Sequence, residues 1–302
     1  MESTVHALGH SVPWFLLSLG SALFQVLRNM VMKRIGHALD ETISVWGRFT
    51  FILPFAALPL FFTGIPQLGE GIWLYAALFG ICQLTATQFL ALALKEAEIS
   101  LVTALWKISV IFLMVWGFFT LGEVPSTLGV VGVLVSVAGV YLLNVERARV
   151  SLWAPLASLA TNRGQRYTVI SALLYAPNVV LIKKLALLSS PSFAVFLGYV
   201  FCSAFVTPLV LWRSARHFSQ LGRHWWSFVA LGAFAAISTQ LGTTAYTLTV
   251  SSYVEAVKQL EVLIALVIGY FVFREGARVR AIWLGCTVML AGLVLLMLGQ
   301  GK

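Results

Sequence analysis

The sequence predicts an all-α membrane protein in which ten transmembrane helices form two inverted halves of five helices each. Of its 302 residues, 60% are apolar or aromatic and only 10% are charged, against about 25% charged in an ordinary soluble domain. The mean hydropathy is +0.92, and apolar runs long enough to cross a bilayer recur from end to end. An arginine-rich linker divides the chain almost in half. This composition excludes a soluble enzyme.

Ten apolar runs are each long enough for a transmembrane helix, which needs about 20 residues. We place them at residues 12–35, 43–62, 70–94, 98–119, 126–143, 168–187, 192–212, 224–248, 252–273 and 279–298. The first five spans make up one repeat at 12–143, and the last five make up a second repeat at 168–298. The basic linker between them, 144–167, contains four arginines and the turn-prone run Asn162-Arg163-Gly164.

The two halves match in order when one is laid over the other at an offset of about 150 residues. The coinciding positions are Lys33-Arg34 with Lys183-Lys184, Lys107 with Lys258, Glu123 with Glu275, and Gly132 and Gly139 with Gly285 and Gly292. Because five is odd, two such units in series take opposite orientations in the membrane. This architecture is common among secondary transporters.

Four basic residues belong neither to the loops nor to the loop-proximal ends of the spans, namely Arg28, Arg48, Lys107 and Lys258. A charged side chain at the membrane centre costs about 2.5–3.5 kcal/mol on insertion scales, so each needs a partner, water or a ligand. The inverted repeat places Lys107 and Lys258 on opposite walls of one central cavity. An anion between them would remove the repulsion between their ammonium groups, which predicts a substrate with a carboxylate or phosphate.

A structural role for the lysines is the alternative. Glu255, Lys258 and Glu261 are spaced three residues apart, so both acids can approach the lysine on one helix face and neutralise it. Lys107 has no acid within four residues in its own helix. Glu261 lies deeper than Lys258, and its protonation is a candidate link between transport and a proton gradient. Structural pairing of Glu261 is the competing interpretation.

Other polar residues are secondary candidates for the substrate site. Arg48 either lines the access path to the site or pairs with Asp40 or Glu41. Gln88 in the third span and Gln240 in the eighth are possible orienting partners for a substrate, or they bond to neighbouring helices.

Aromatic and acidic residues near the lysines also have two interpretations. Trp106 and Tyr253 flank the lysines in sequence and either shape the cavity or serve as packing. Glu123 and Glu275 follow the fourth and ninth spans, where we expect them at helix ends near the membrane interface. The fifth and tenth spans carry small residues at helical spacing, which predicts packing or dimer surfaces. These residues are Gly129, Gly132, Ser136 and Gly139 in one span, and Gly285 and Gly292 in the other.

The ends of the two halves, residues 100–143 and 251–296, share one pattern. Each runs from small residues through an apolar helix to a glutamate turn and a final Gly-rich helix. The first turn is Leu121-Gly122-Glu123, and the second, Phe273-Arg274-Glu275, lacks the glycine. This pattern resembles the EamA type of the drug/metabolite transporter superfamily, in which two EamA-like repeats of five helices make a ten-helix carrier. The resemblance covers nearly the whole chain and implies transport rather than catalysis.

The lysine pair is similar to that of the triose-phosphate translocators, which belong to the same superfamily. That resemblance implies that Lys107 and Lys258 bind substrate. Those carriers follow the second lysine with an arginine, whereas this chain has Gln259. The difference argues against a doubly charged phosphate ester and leaves carboxylates and amino acids open.

These observations predict a secondary transporter that moves a small polar or anionic metabolite by alternating access, as an exchanger or with proton coupling. A non-transporting membrane scaffold and a membrane-embedded enzyme are the alternatives. We expect no enzymatic activity, no cofactor, no metal site and no nucleic-acid partner. The expected partners are a small-molecule substrate and membrane lipids, and a homodimer is the candidate assembly. We expect the chain in the bacterial inner (plasma) membrane.

Two indicators of orientation disagree. Thirteen Lys and Arg residues lie in loops on the side opposite the termini, whereas the terminal side has only Lys183, Lys184 and Lys302. The positive-inside rule therefore favours termini that face outward. Members of the resembled family usually have both termini in the cytoplasm. A reporter fused to the C-terminus distinguishes the two orientations.

Overall fold

The computed structural model describes residues 2–39, 41–97, 102, 105–148, 151–153, 157, 159, 162–264, 267 and 283–299. The regular structure in these ranges is helical, without a β-strand. The α-helices are α1 (Glu2–Ala38), α2 (Glu41–Thr63), α3 (Ile72–Glu96), α4 (Ser109–Leu121), α5 (Thr127–Ala148), α6 (Arg163–Leu187), α7 (Pro191–Arg213), α8 (Trp225–Leu248), α9 (Ser251–Lys258) and α10 (Trp283–Gly299). Two short 3-10 helices, Ala215–Gln220 and Gly222–His224, precede α8.

The helices correspond in order to the predicted spans. Six stretches are long and apolar enough to cross a membrane, namely Val12–Met32, Thr42–Thr63, Ile72–Ala93, Arg163–Leu187, Pro191–Arg213 and Gly222–Leu248. Three shorter apolar helices, Ser109–Leu121, Thr127–Leu143 and Leu284–Gly299, match the predicted fourth, fifth and tenth spans. The ninth span, predicted at 252–273, is described up to 264 and at 267, and its remainder lies outside the described residues.

The helices on either side of the linker are longer than their apolar runs. α5 continues to Ala148, and α6 begins at Arg163 rather than at residue 168. Asn162 caps α6, because its side-chain oxygen accepts a hydrogen bond from the backbone N–H of Gly164 at 2.7 Å. The connection is therefore shorter than the predicted linker 144–167. Hydropathy does not detect the polar turns at which these two helices end and begin.

Helices of the first half pack mainly against helices of the second. The first helix of each half packs against the third helix of the other half: α1 packs against α8, and α6 packs against α3. α4 packs on α6 and α9 on α1, while α2 with α7 and α5 with α10 pair directly. Each contact recurs with the roles of the halves exchanged. This exchange is what two inverted five-helix repeats require, and it confirms the predicted fold class.

The backbones of α5 and α10 approach each other most closely where both helices carry glycine. A Cβ atom added at any of four glycines would overlap the main chain of the opposite helix. The overlapping pairs are Gly132 with Leu296, Gly139 with Met289, Gly285 with Leu143, and Gly292 with Ser136. We call this contact the α5–α10 seam. The small-residue faces therefore serve packing within one chain, and they are not free to form a homodimer.

Large aromatic side chains are exposed near the ends of several helices. Phe61, Phe62, Phe119, Trp212 and Trp226 expose between 77% and 89% of their surface. Trp side chains at the ends of transmembrane helices are enriched in the headgroup region of a bilayer. Exposure of this extent therefore fits a bundle that is surrounded by lipid.

Candidate functional site

Both candidate lysines lie where a helix is interrupted. Lys107 lies in a turn between the helical residues 105–106 and α4, and Lys258 ends α9 just before a turn at 259–260. The N–H groups of Ile108 and Gln259 each bond to the carbonyl three residues earlier, both at 3.2 Å. Such a tight stretch inside a helix often marks a functional site, and transporters build binding sites from broken helices. The N–H of Gln259 also bonds to the carbonyl of Glu255, four residues earlier, at 3.2 Å. Both lysines therefore lie at a helix interruption, although Lys107 is in the turn itself and Lys258 is the last helical residue.

Lys107 forms an ion pair with an acid from the other half of the chain. Its Nζ lies 2.5 Å from Oε1 of Glu261, and the two side chains expose 7% and 15% of their surface. The second carboxylate oxygen of Glu261 accepts a hydrogen bond from Nε2 of Gln25 on α1. Two segments of the first repeat therefore hold Glu261, so this carboxylate ties the halves together.

Lys258 forms its ion pair within its own helix. Its Nζ lies 2.6 Å from Oε1 of Glu255, three residues earlier. The Tyr246 hydroxyl on α8 donates to Glu255 and accepts from Lys258 at 3.2 Å. The Tyr175 hydroxyl on α6 donates to the other Glu255 oxygen at 3.5 Å. Glu255 and Lys258 are thus both satisfied inside the bundle.

The acids pair with the lysines differently from the prediction that Glu255 and Glu261 both neutralise Lys258. Glu255 does neutralise Lys258, but Glu261 crosses to Lys107 of the other half. Because each lysine has a carboxylate at hydrogen-bonding distance, neither ammonium group is unshielded.

Two arginines complete the group of buried charges. Arg28 on α1 exposes 8% of its surface, and its guanidinium donates to the side-chain oxygen of Asn29 at 2.9 and 3.2 Å. Arg48 on α2 lies over the ring of the next residue, 5.4 Å from its centre, and its buried Nε has no hydrogen-bond partner. Among the described side chains, neither arginine has an ion pair with an acid. Pairing of Arg48 with Asp40 or Glu41 concerns side chains outside that set.

We define the charge cluster as six ionisable side chains inside the bundle. Arg28, Lys107, Glu255 and Lys258 are buried, and Arg48 and Glu261 are half-buried. Glu261 interacts electrostatically with both lysines, and Arg28 interacts with Arg48 and Glu261. Four members are basic and two are acidic, so the cluster carries a surplus of two positive charges. It lies between the two repeats, because its members come from both.

The structure brings one of the two predicted aromatic residues to the cluster. The Trp106 ring lies 5.5 Å from Nζ of Lys107, and its Nε1 donates to Ser171 Oγ at 3.1 Å. Tyr253 instead faces α5, where its hydroxyl accepts a hydrogen bond from the N–H of Ser126 at 3.0 Å. Five residues separate Tyr253 from Lys258, about 140° around a helix, so the two side chains point to different faces.

The two predicted glutamines have no hydrogen bond to the cluster among the described residues. Gln240 donates to Ser192 Oγ at 2.9 Å, while its buried Oε1 has no partner. The buried Nε2 of Gln88 also lacks a partner. Both side chains therefore retain unused hydrogen-bonding capacity inside the bundle.

Sequence reasoning did not select three residues that hold the acids in place: Gln25, Tyr175 and Tyr246. Gln25 lies three residues before Arg28, so the two share one helix face. A polar pair on an otherwise apolar helix was a signal for Gln25. No comparable signal marks the tyrosines, because aromatic residues are common in membrane helices. Within the described ranges, no group of three His, Cys, Asp or Glu side chains is placed to hold a metal ion.

A second set of buried polar residues joins the halves at the end of the bundle where α4 meets α5. Lys183 Nζ lies 2.6 Å from Oε1 of Glu123 and 2.7 Å from the carbonyl of Thr249. Glu123 also accepts hydrogen bonds from the hydroxyl and N–H of Ser251, at 2.7 and 3.0 Å. We call these four residues the peripheral cluster. The expectation that Lys183 lies in a headgroup loop is wrong, because its pairing with Glu123 allows both to be buried.

Comparison with known proteins agrees with this architecture. The model of the EamA-like transporter family matches the chain twice, at residues 12–145 and 162–298. No curated protein matches the chain. A solved structure described only as "Crystal structure of protein" is 16% identical, with a TM-score of 0.70, and the match covers 93% of this chain and 95% of that one. At this identity the likeness concerns the fold alone. With both repeats matched, the chain belongs to the EamA-like transporter family of the drug/metabolite transporter superfamily and is an integral membrane protein.

Proposed function

We propose that this transporter moves a small metabolite with a negatively charged group by alternating access, and that it is not an enzyme. The observation that carries the proposal is the surplus of two positive charges in the charge cluster between the repeats. Uncompensated charge inside a membrane protein is costly and typically marks a substrate or ion pathway. An anion in this position supplies the missing negative charge in the same medium of low dielectric constant.

Carboxylates and amino acids are the substrate classes that we favour over phosphate esters. Gln259 takes the place of the second basic residue found in triose-phosphate translocators. Its Oε1 accepts a hydrogen bond from Ser136 Oγ on α5 at 3.3 Å, so its side chain is directed toward the α5–α10 seam. Its buried Nε2 has no hydrogen-bond partner, so the position offers a neutral donor but no second positive charge. A substrate with one or two carboxylates matches the surplus of positive charge that remains.

We assign the predicted residues roles according to their contacts. Lys107 and Lys258, each paired with its acid, set the local potential that favours an anionic substrate, with Trp106 beside them. Arg48 contacts the substrate directly. Gln88 and Gln240 use their unpaired atoms for substrate in another conformation of the carrier. Tyr253 was predicted to contact substrate, and its position against α5 favours a packing role.

Exchange of one anion for another is the transport mode that the charge surplus favours. Repulsion between the ammonium groups of Lys107 and Lys258 would oppose closure of an empty carrier, but their paired acids remove that repulsion. The two arginines without an ion pair still oppose closure, because the empty cluster carries surplus positive charge. Proton coupling is the second candidate. The specific observation in its favour is Glu261, a buried carboxylate that contacts both a lysine and a glutamine of the opposite repeat.

Uptake into proteoliposomes tests the proposal. Vesicles containing the purified protein are preloaded with succinate, aspartate, glycerol 3-phosphate or buffer, and uptake of the same labelled compounds is measured. We expect uptake of a carboxylate that increases when an anion is inside. Lys258→Gln should abolish it, whereas Arg213→Gln, at the exposed end of α7, should not. Uptake only of neutral or cationic compounds, or unchanged uptake by Lys258→Gln at normal expression, refutes the assignment.

We propose the bacterial inner (plasma) membrane as the site of this activity, since gradients of protons and metabolites across it would drive either transport mode. We also propose that any homodimer forms through a lipid-facing surface rather than through the α5–α10 seam. Chemical cross-linking in membranes tests the second point.

A further inference from the structure

Arg28 and Arg48 are the members of the charge cluster that form no ion pair at contact distance with an acid among the described side chains. We infer that these two guanidinium groups, rather than the two lysines, form the direct anion-binding pair of the carrier. The inference rests on the proposed function and names the side chains that select the substrate. The four basic residues of the cluster differ in the hydrogen-bonding capacity that each has left for a ligand.

The lysines have little capacity left for a ligand. Nζ of Lys107 lies 2.5 Å from Glu261, and Nζ of Lys258 lies 2.6 Å from Glu255 and 3.2 Å from Tyr246. A ligand that binds either ammonium group must compete with a carboxylate already held by charge-assisted hydrogen bonds. Such competition costs binding free energy that the ligand has to recover elsewhere.

The arginines retain most of their donors. A guanidinium has five N–H donors, and the two hydrogen bonds of Arg28 both go to a single neutral acceptor, the side-chain oxygen of Asn29. Nε of Arg48 is buried without any acceptor. An unsatisfied buried donor costs roughly 1–3 kcal/mol, and more when it is charged. A bound oxyanion that accepts this hydrogen bond removes the cost. The same oxyanion gains less binding free energy from a lysine that is already paired with a carboxylate.

Arg48 lies over the Phe49 ring, which packs edge-on against Tyr199 of α7 at 5.8 Å between ring centres, and α1, which carries Arg28, packs against α2. Arg28 interacts electrostatically with Arg48 and with Tyr199, while Arg48 interacts with Cys202, one turn further along the same helix. Like charges held together in a buried place repel each other unless an anion lies between them. Neighbouring helices α1 and α2 supply the arginines, so a ligand there would contact the first repeat and reach α7 of the second.

The planar fork of a guanidinium selects the shape of its ligand. Arginine binds carboxylate or phosphate through two parallel N–H···O bonds, which a spherical halide cannot accept in the same way. Two such groups match a small dianion with oxygen acceptors at both ends or on one phosphorus atom. A dicarboxylate and inorganic phosphate share this chemistry, and separate arms of the experiment distinguish them.

Thermal stabilisation of the full-length protein in detergent tests the pair. Succinate and inorganic phosphate are titrated at constant ionic strength, with chloride as the control anion. We expect saturable stabilisation by at least one dianion and none by chloride, because a ligand that binds only the folded state raises its stability. Arg28→Gln and Arg48→Gln should each weaken the apparent affinity by about tenfold or more. Arg213→Gln serves as the matched control and should keep the wild-type affinity.

Conservative variants keep the test decisive if a glutamine variant does not fold. Arg28→Lys and Arg48→Lys retain the charge but lose the fork, so each should still weaken binding of the stabilising dianion. Wild-type affinity in the folded variants, or equal stabilisation by chloride, overturns the inference. If the arginine variants bind normally while uptake into proteoliposomes is intact, only this inference fails. If no anion is transported at all, the proposed function fails as well.

Discussion

The peripheral cluster allows a quantitative test of how the two halves are joined. Lys183→Met removes a donor that lies 2.6 Å from Glu123 and 2.7 Å from the carbonyl of Thr249. Glu123 then remains buried with only its two hydrogen bonds from Ser251. Removing one partner of a buried ion pair typically lowers the free energy of unfolding by about 3–5 kcal/mol. In the double variant Lys183→Met/Glu123→Gln no charge is left unpaired, and we expect roughly 2 kcal/mol of that loss to be recovered.

Thermal unfolding in detergent, followed by the fluorescence of the ten tryptophans, measures the effect. At on the order of 2 °C per kcal/mol, Lys183→Met should unfold roughly 6–10 °C below wild type. Lys184→Met is the matched control, because that half-buried neighbour has no ion pair among the described side chains. Strictly additive single and double variants, or an equal effect of Lys184→Met, would show that the buried pair does not hold the halves together.

Three further predictions follow from other parts of the molecule. Glu261→Gln removes the negative partner of Lys107 and increases the charge surplus, so anion titrations should show tighter binding; weaker binding contradicts the charge balance proposed here. Gly139→Leu should prevent the α5–α10 seam from closing and yield aggregated protein in size-exclusion chromatography, whereas Gly222→Leu, which has open space around it, should elute normally. Asn162→Ala should cost about 1 kcal/mol in thermal unfolding through loss of the α6 cap, and an unchanged melting temperature would refute that role.

Hydropathy was sufficient to predict the order and approximate position of the helices, because lipid imposes the same requirement on every span. The start of α6 was misplaced, since Asn162 caps a first turn that is polar and therefore invisible to a hydropathy scan. The offset between the halves predicted the shared position of Lys107 and Lys258. The structure adds that both lie in an interrupted helix.

The partners of the charged residues were harder to predict. Glu261 pairs with a lysine 154 positions away, and a single sequence contains no signal for such a contact. Glu123 and Lys183 likewise lie near helix ends in sequence, and only their mutual neutralisation permits burial. Helical geometry alone could have excluded Tyr253 from the lysine site, because its angle from Lys258 around α9 directs it to a different face.

The α5–α10 seam limits how the carrier can change conformation. Side chains can adopt new rotamers when helices slide, but here main chain meets main chain at four glycines, with no intervening layer to rearrange. We therefore expect α5 and α10 to keep one spacing throughout the transport cycle, as a fixed axis around which the remaining helices reorient. Pairs of spin labels on these two helices should then report the same distance in inward-facing and outward-facing states.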